Sequence, residues 1–351
     1  MNLPSEFIST VTNTFGEDGE TLIANLPALI EEAALRWSLT NVQPVDNLSY
    51  NFVAFATCAS TTPPHLPWYG LSRTVSGTND GSAHYSPGAF RERDVVLKIG
   101  VPRDELTSEI AALRLFNGEG ACQLIDADEE KGFLLLERLK PGVMLSTMEN
   151  DEQATHIGAE VMQKIWRDIP LEFGSLLPHA RQLAVGLQSQ FIQLSDWFDG
   201  LKRLRAMFDG GTGPLNEKLV DRVEQSAKDF FAENHRPVLM HGDFHHFNIL
   251  SSERGWLVID PKGVIGPAGY EVGPFLINPW GDLINGIDQR RMTQRRIDIL
   301  HERLGFERER IREWGVAHAV ISAWWHIEDN TGGGEFAMNF AEMIADLPLH
   351  S

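Results

Sequence analysis

The 351-residue chain has little cysteine: only Cys58 and Cys122, far apart in sequence. That scarcity excludes a disulfide framework and a cysteine-rich zinc site, and it suits a reducing cytoplasm, the expected location. No apolar run approaches the ~20 residues needed to span a bilayer, so no membrane partner is expected. The opening MNLPSEFISTVTNTFGEDGE has neither a basic n-region nor an apolar h-region, which speaks against a secretory signal. Positive charge is also short, with 30 Lys and Arg against 49 Asp and Glu and a formal net charge of −19. Nucleic acid, whose phosphates want a basic face, is therefore not an expected partner. A cationic partner is compatible with that charge, and so is a plain requirement for solubility.

What remains is the composition of a soluble globular protein, 42% hydrophobic and 23% charged, in a chain long enough for two lobes. No internal repeat or low-complexity tract is present. Residues 5 to 38 read as two helices, the second with Leu22, Leu26, Leu29, Ile30 and Leu35 at roughly helical spacing around a proline. Leu48 to Ser60 has strand composition. A Pro-, Gly-, Ser- and Thr-rich stretch follows, read as a long loop or insertion over 59–93. DVVLKIGV is a strand, RDELTSEIAALRLFNG a helix that stops near Gly118, and GFLLLERL a strand buried on both faces. KPGVML reads as a linker. From about residue 150 the pattern turns helical, in DEQATHIGAEVMQKIW, HARQLAVGLQSQFIQLSDWFDGLKRL, EKLVDRVEQSAKDFFAEN, QRRMTQRRIDILHERLG and IREWGVAHAVISAWWHIEDN. The expected organisation is a helical extension over 1–40, a small strand-rich lobe over 41–140 and a larger helical lobe over 141–351.

Chemistry concentrates in VLMHGDFHHFNILSSERGWLVIDPKG. Ser252-Glu253-Arg254-Gly255 is a good turn, so FNILSSERGWLVID reads as a hairpin. Asn248 then enters its first strand and Asp260 leaves its second, near the same open end. An amide oxygen and a carboxylate so placed suit Mg²⁺, which takes hard oxygens and few protein ligands. Asp243, in a loop at that end, could take a proton from an attacking hydroxyl. Taken singly, Asp243 and Asn248 could be turn caps and His241 a core histidine. The rival metal reading, zinc on His241 and His245 at i,i+4, lacks a helix and an H-E-x-x-H glutamate.

Two further residues sit in uncomfortable places. Alternation in DVVLKIG puts Val95, Leu97 and Ile99 on one face and Val96 with Lys98 on the other. Lys98 must snorkel from an edge or meet an anion, because burying a bare ammonium is costly. Glu109 falls within the apolar stripe Leu106, Ile110, Leu113 and Phe116 and asks for a cation. Strand lysine, helix glutamate, then Asp243, Asn248 and Asp260 form the parts list of phosphoryl transfer.

With these residues on view, the chain resembles the aminoglycoside phosphotransferases, in their aminoglycoside/hydroxyurea resistance kinase branch. The resemblance is carried by LSYNFV, VVLKIGVP, EIAALRLFNGEGACQLIDADEEKGFLLLERLKPG, AEVMQKIW, HGDFHHFNIL, VIDPKGVIGPAGYEVGPFLINP and AWWHIEDN. It implies an α+β, bilobal protein-kinase-like fold: a small N-terminal antiparallel sheet lobe with a key helix, and a larger, mainly helical C-terminal lobe. It also implies ATP and Mg²⁺ as cofactors, with Lys98 on the nucleotide phosphates and Glu109 pairing with it. Asp243 would be the catalytic base and Asn248 and Asp260 the magnesium ligands. Backbone around Glu137 to Leu139 would meet adenine, and Ser49, Tyr50 and Asn51 would cover the phosphates, since no G-x-G-x-x-G is present. His241 would be structural. Phe247 stands where smaller residues are common in the family.

After Asp260 only PKGVIGPAGYEVGPF precedes the next apolar helix. That leaves no room for a long activation segment, so a small-molecule acceptor is favoured over a polypeptide. Trp325, Glu328 and Asp329, with Asp282 further off, offer aromatic walls and carboxylates to a polyhydroxylated cation such as an aminoglycoside. Equally, the tryptophans could be core and the acids solvated. The expected partners are thus a nucleotide and a small alcohol, bound by a monomer or homodimer. A kinase of a metabolic alcohol (choline-, homoserine- or sugar-amine-like) is an alternative, and a nucleotide-binding pseudokinase module is another.

Overall fold

A computed structural model describes residues 3–60, 91–168, 190–232, 236–279 and 288–349. Most of the insertion read at 59–93 lies outside them, as does Asp282. The chain divides into two compact units, residues 1–101 with 124–138, and residues 102–123 with 139–351.

The first unit is built on a five-stranded antiparallel sheet of order β1-β2-β3-β5-β4. Its strands are β1 (Leu39–Pro44), β2 (Phe52–Ser60), β3 (Arg91–Ile99), β4 (Leu124–Asp128) and β5 (Phe133–Glu137). Helices α1 (Ser5–Phe15) and α2 (Glu17–Trp37) cover one face. The period-2 pattern decides which side chains they meet. Phe52, Ala54, Val95, Leu97, Ile99, Phe133 and Leu135 pack with Phe7, Val11, Leu22, Leu26 and Ile30 in one core. The register pairs Val53 with Lys98 with Leu134, and Phe55 with Val96 with Leu136, on the opposite face. Alternation in DVVLKIG therefore reads the sheet correctly. The stripe expected in α2 is corrected at one place: Leu35 is 83% exposed, and Ala33 and Trp37 complete the buried face instead. A helix gains 100° per residue, so a stripe through Leu26, Ile30 and Ala33 continues to Trp37 and leaves Leu35 outside. Strand β1 has no apolar alternation, which explains why it escaped notice in the sequence.

In the second unit, α3 (Asp104–Phe116) ends in a left-handed Asn117 followed by Gly118 at φ 77°. The chain then runs beside a hairpin: Val258 donates to Gly120 and Cys122 donates to Val258. That hairpin, β10 (Ile249–Ser252) and β11 (Gly255–Val258), takes β6 (Pro141–Met144) as its third strand. KPGVML is thus no mere linker, because its backbone groups find partners on Leu250 and Ser252. A second small sheet has the order β7-β9-β12-β8, with β7 (Arg167–Asp168), β8 (Ile192–Gln193), β9 (Val238–Met240) and β12 (Val264–Gly266). Strand β8 interrupts what read as one helix, since Ile192 and Gln193 pair in parallel with Val264 and Ile265.

The helices are α4 (Asp151–Ile165), α5 (Leu194–Phe198), α6 (Gly200–Met207), α7 (Glu217–Ala232), α8 (Val272–Ile277), α9 (Gln289–Leu304), α10 (Arg308–Glu328) and α11 (Gly334–Ala345). Helix α10 is central: Ile311, Trp314, Val316, Ala317, Val320, Ile321 and Trp324 are all buried. Among the described residues no helix is long and apolar enough to cross a membrane.

Candidate active site

Strand β9 carries the chain into a turn at Gly242, whose φ of 87° suits glycine. A β-carbon there would sit 2.4 Å from Val264 Cγ2 and 3.0 Å from Trp197 Cη2, so the turn is also closely packed. His241 is fully buried and uses both ring nitrogens. Nε2 lies 2.9 Å from Ile259 O, and Nδ1 accepts the Asp243 N–H at 3.2 Å. Burial, only partly opposed by the Asp243 charge, pushes His241 down to about 4, so the ring is neutral. It ties the loop to the end of the hairpin, as expected of a structural histidine.

Asp243 keeps 37% of its side-chain surface open, with Oδ2 3.4 Å from His245 Nε2. Burial raises its carboxyl, but the charge and hydrogen bond of His245 and the charge of Lys262 hold it below the ordinary range. For His245 burial works downward and is outweighed by the Asp243 charge and bond, so its pKa is raised. Asp243 is therefore an ionised, solvent-reachable carboxylate.

The hairpin register brings the two expected metal ligands to one end. Ile249 pairs with Val258, and the Ile259 N–H donates to Asn248 O at 2.9 Å. Asp260 follows directly, in the left-handed region at φ 58° that Asp tolerates. Asn248 Nδ2 donates to Asp243 O at 3.1 Å. With the amide nitrogen committed to that carbonyl, Oδ1 is the branch turned elsewhere. One amide oxygen and one carboxylate, both hard donors, fit Mg²⁺ completed by phosphate and water better than they fit a protein-only cage. Among the described residues no group of three His, Cys, Asp or Glu forms such a cage.

Glu271 was missed in the sequence. It is fully buried, with Oε1 accepting the Gly242 N–H at 2.8 Å and Oε2 the His241 N–H at 3.2 Å. Burial, opposed by those two bonds, pushes its carboxyl up to about 8. The signal was available, because an acid inside the apolar run GYEVGPF is as conspicuous as Glu109 in α3. Lys262 was also passed over as a site residue. Its N–H donates to His241 O at 2.7 Å, and its ammonium pairs with Glu105 in the first turn of α3. Burial lowers its pKa, but the charges of Asp260, Glu105 and Asp243 carry it well above the ordinary lysine value.

The two tryptophans of AWWHIEDN have different settings. Trp324 is buried against Gly200, whereas Trp325 is half-buried and meets Trp197 edge to face at 5.3 Å and 85°. Trp197 also packs on Tyr270, whose hydroxyl lies 2.9 Å from His318 Nδ1. An aromatic corner thus adjoins Gly242. Glu328 is gripped by Arg203 through Nε at 2.6 Å and Nη2 at 3.0 Å. Asp329 is pushed up by burial and by Glu328. A separate cleft lined by Asn216, His326, Asn330, Glu335 and Glu342 includes none of Asp243, Asn248 or Asp260.

In the first unit Lys98 is buried on the face opposite α1 and α2. Ser49, Tyr50 and Asn51 lie in the bend before β2, rather than within a strand starting at Leu48. Glu137 ends β5, and the next residue, Arg138, stacks 3.9 Å over the exposed Phe55 ring. Glu109 is buried in α3, and Leu139 is buried at the start of the second unit's longer segment.

A family profile for aminoglycoside/hydroxyurea antibiotic resistance kinases matches residues 90–330. The chain belongs to this family. It is 29% identical to a streptomycin 6-kinase of Streptomyces glaucescens over 94% of this chain and 92% of that protein. It is 26% identical to a hydroxyurea phosphotransferase of Kitasatospora aureofaciens, over 99% of this chain and 86% of that protein. Among solved structures it is similar to the choline kinase LicA from Streptococcus pneumoniae (TM-score 0.55, 13% identity, 92% and 98% of the two chains). It is also similar to a thermostable mutant of aminoglycoside phosphotransferase APH(4)-Ia with ADP and hygromycin B (TM-score 0.54, 13% identity, 92% and 99%). The fold is kinase-like, with an antiparallel sheet in the N-terminal part and a mostly helical C-terminal part. The chain is accordingly a phosphotransferase acting on hydroxyl groups of small molecules.

Proposed function

We propose that this kinase transfers the γ-phosphoryl group of ATP, with Mg²⁺, to a hydroxyl of an aminoglycoside or aminocyclitol. The observation carrying the proposal is the hairpin register that sets Asn248 and Asp260 at one end, with Asp243 held beside Asn248. Asp243 would accept a hydrogen bond from the acceptor hydroxyl and take its proton as the bond to phosphorus forms. A carboxylate with a low pKa serves this role because the transition state is loose, so the proton moves late and orientation matters more than basicity. Asn248 and Asp260 would hold the metal, which supplies charge neutralisation on the phosphate oxygens. Lys98 is proposed as a phosphate-binding cation and Glu109 as the carboxylate supporting such a cation. Ser49, Tyr50 and Asn51 are proposed as backbone cover for the phosphates, and Glu137 and Leu139 as adenine-binding backbone. The presence of every one of these side chains supports an active enzyme over a pseudokinase module.

On the acceptor side, the Trp197–Trp325 corner beside Gly242 suits the face of a sugar or a cationic group. Asp329, with Glu328 held by Arg203, is proposed for the rim. The same corner also favours a second reading, a metabolic amino alcohol as acceptor. Labelled ATP incubated with streptomycin, other aminoglycosides, hydroxyurea and small amino alcohols separates the readings. Transfer to streptomycin at a kcat/KM well above the rest is expected, and preferential transfer to an amino alcohol would replace the first reading with the second. Asp243→Asn should abolish turnover; full turnover would remove Asp243 from the role.

A further inference from the structure

Phosphoryl transfer spreads negative charge over the equatorial oxygens of the moving group, and a cation fixed beside the base and metal ligands stabilises it. Between His241 and Gly263 the sequence offers two permanent cations, Arg254 and Lys262. Arg254 lies at the turn of the hairpin, and its Nη1 donates to Gly118 O at 2.6 Å. Lys262 is different. Two residues beyond Asp260, its backbone is pinned to His241 O at 2.7 Å. The next residue, Gly263, accepts the Ser108 hydroxyl at 2.7 Å through its carbonyl. The segment carrying Asp260 and Lys262 is thus clamped to the catalytic loop on one side and to α3 on the other.

The ammonium itself is held less firmly than the backbone. Its partner Glu105 is 56% exposed, against 23% for the lysine side chain. A carboxylate so exposed is screened by water and holds the ammonium weakly, so a multiply charged phosphate competes for it easily. A lysine needed only to tie α3 down would add little to the Ser108–Gly263 bond, which is buried and already does so.

We propose that Lys262 is a catalytic cation of the transfer, exchanging Glu105 for the moving phosphoryl group. The inference rests on the phosphotransferase reading above. In the step, a bond forms between the acceptor oxygen and the γ-phosphorus. The bridging γ-phosphorus–oxygen bond breaks, ADP leaves with that electron pair, and the acceptor proton passes to Asp243. Lys262 makes and breaks no covalent bond.

The test uses the full chain with Mg²⁺ and ATP, with streptomycin as acceptor and, separately, with water as acceptor in slow ATP hydrolysis. Lys262→Met, Lys262→Gln and Glu105→Gln are compared by steady-state kinetics and by calorimetric binding of AMP-PNP. Both Lys262 variants should lose at least about 100-fold in kcat while KM for ATP and AMP-PNP affinity stay within about 3-fold. Glu105→Gln should lose less than about 5-fold, because it removes only the resting partner. Equal losses in Glu105→Gln and the Lys262 variants would show a structural tie and overturn the inference. Loss of AMP-PNP binding in both Lys262 variants, or kcat within 3-fold of wild type, would overturn it too. If streptomycin is not used, whichever of the other aminoglycosides, hydroxyurea or the small amino alcohols is used takes its place. A wild type that transfers to none of these acceptors and hydrolyses no ATP overturns the functional reading and the inference together.

Discussion

The carboxyl group of Glu271 accepts the backbone N–H of Gly242 at 2.8 Å, so the turn presenting Asp243 is held by a residue at the start of α8. The same carboxyl group takes the His241 N–H, at a fully buried site. Glu271→Ala leaves two buried donors without an acceptor, at about 1–3 kcal/mol each. A thermal midpoint lowered by several degrees and a fall in kcat larger than any change in KM are expected. Glu271→Gln, which keeps one carbonyl acceptor, should fall between. An alanine variant with wild-type midpoint and kcat would show that the loop holds its own shape.

Gly263 cannot become alanine without displacing α3. Its φ is 66°, and a β-carbon would lie 2.5 Å from the Ser108 carbonyl oxygen and 2.6 Å from its hydroxyl. The left-handed conformation alone costs an L-residue about 1–2 kcal/mol. Gly263→Ala should therefore destabilise by more than that, measured by urea unfolding. Adding Ser108→Ala should not rescue it, because the nearer obstacle is backbone. Rescue by the double variant would mean that the hydroxyl, not the carbonyl, sets the spacing.

Acid should weaken the fold through its buried histidines. His318 is buried beside Tyr270 and is pushed down to about 4, chiefly by burial, with the Asp243 charge opposing. Its folded pKa is depressed below the ordinary 6.5, so the unfolded chain binds the extra proton first. The stability contribution is complete above about 6.5 and is lost as pH falls towards about 4. His241 contributes with the same sign in the same window. In His318→Gln, the slope of unfolding free energy against pH between those limits should be shallower than in wild type. Equal slopes would mean that His318 titrates normally in the folded protein.

Much of this was legible in the sequence because the relevant signals are local. Strand alternation set Lys98 apart from Leu97 and Ile99, and a turn at Glu253-Arg254 fixed which end of the hairpin Asn248 and Asp260 share. What escaped depended on partners far away in sequence. Strand β6 reads as a linker because its partners are over a hundred residues on. Arg296 looks like one more charge on a solvated helix face, yet it is 1% exposed. It binds Asp151 at 2.5 Å and Asn278 O at 2.5 Å, closing the end of α8. Burial of an arginine is set by what surrounds it, which no periodicity within α9 records. Glu271 is legible by the same signal as Glu109, an acid set inside an apolar run.

Neighbouring tryptophans on one helix should respond differently to truncation. Trp324 and Trp325 are adjacent on α10, so a helical turn of 100° per residue sends them to different surroundings. Trp324 is 1% exposed, and Trp324→Ala should cost about 3–5 kcal/mol of stability by opening a cavity. Trp325 is half-buried against Trp197, which in turn abuts Gly242 in the turn that presents Asp243. If that corner receives the acceptor, Trp325→Ala and Trp197→Ala should raise acceptor KM by about 2- to 30-fold, the range of one cation–π contact of about 0.5–2 kcal/mol. KM for ATP should stay within 2-fold in both. The signature to look for is this split between the substrates, because a general loosening of the fold would raise both constants and lower the unfolding midpoint as Trp324→Ala does. Unchanged acceptor KM in both variants would move the acceptor away from the corner and leave Trp325 as packing for His318 and Trp197.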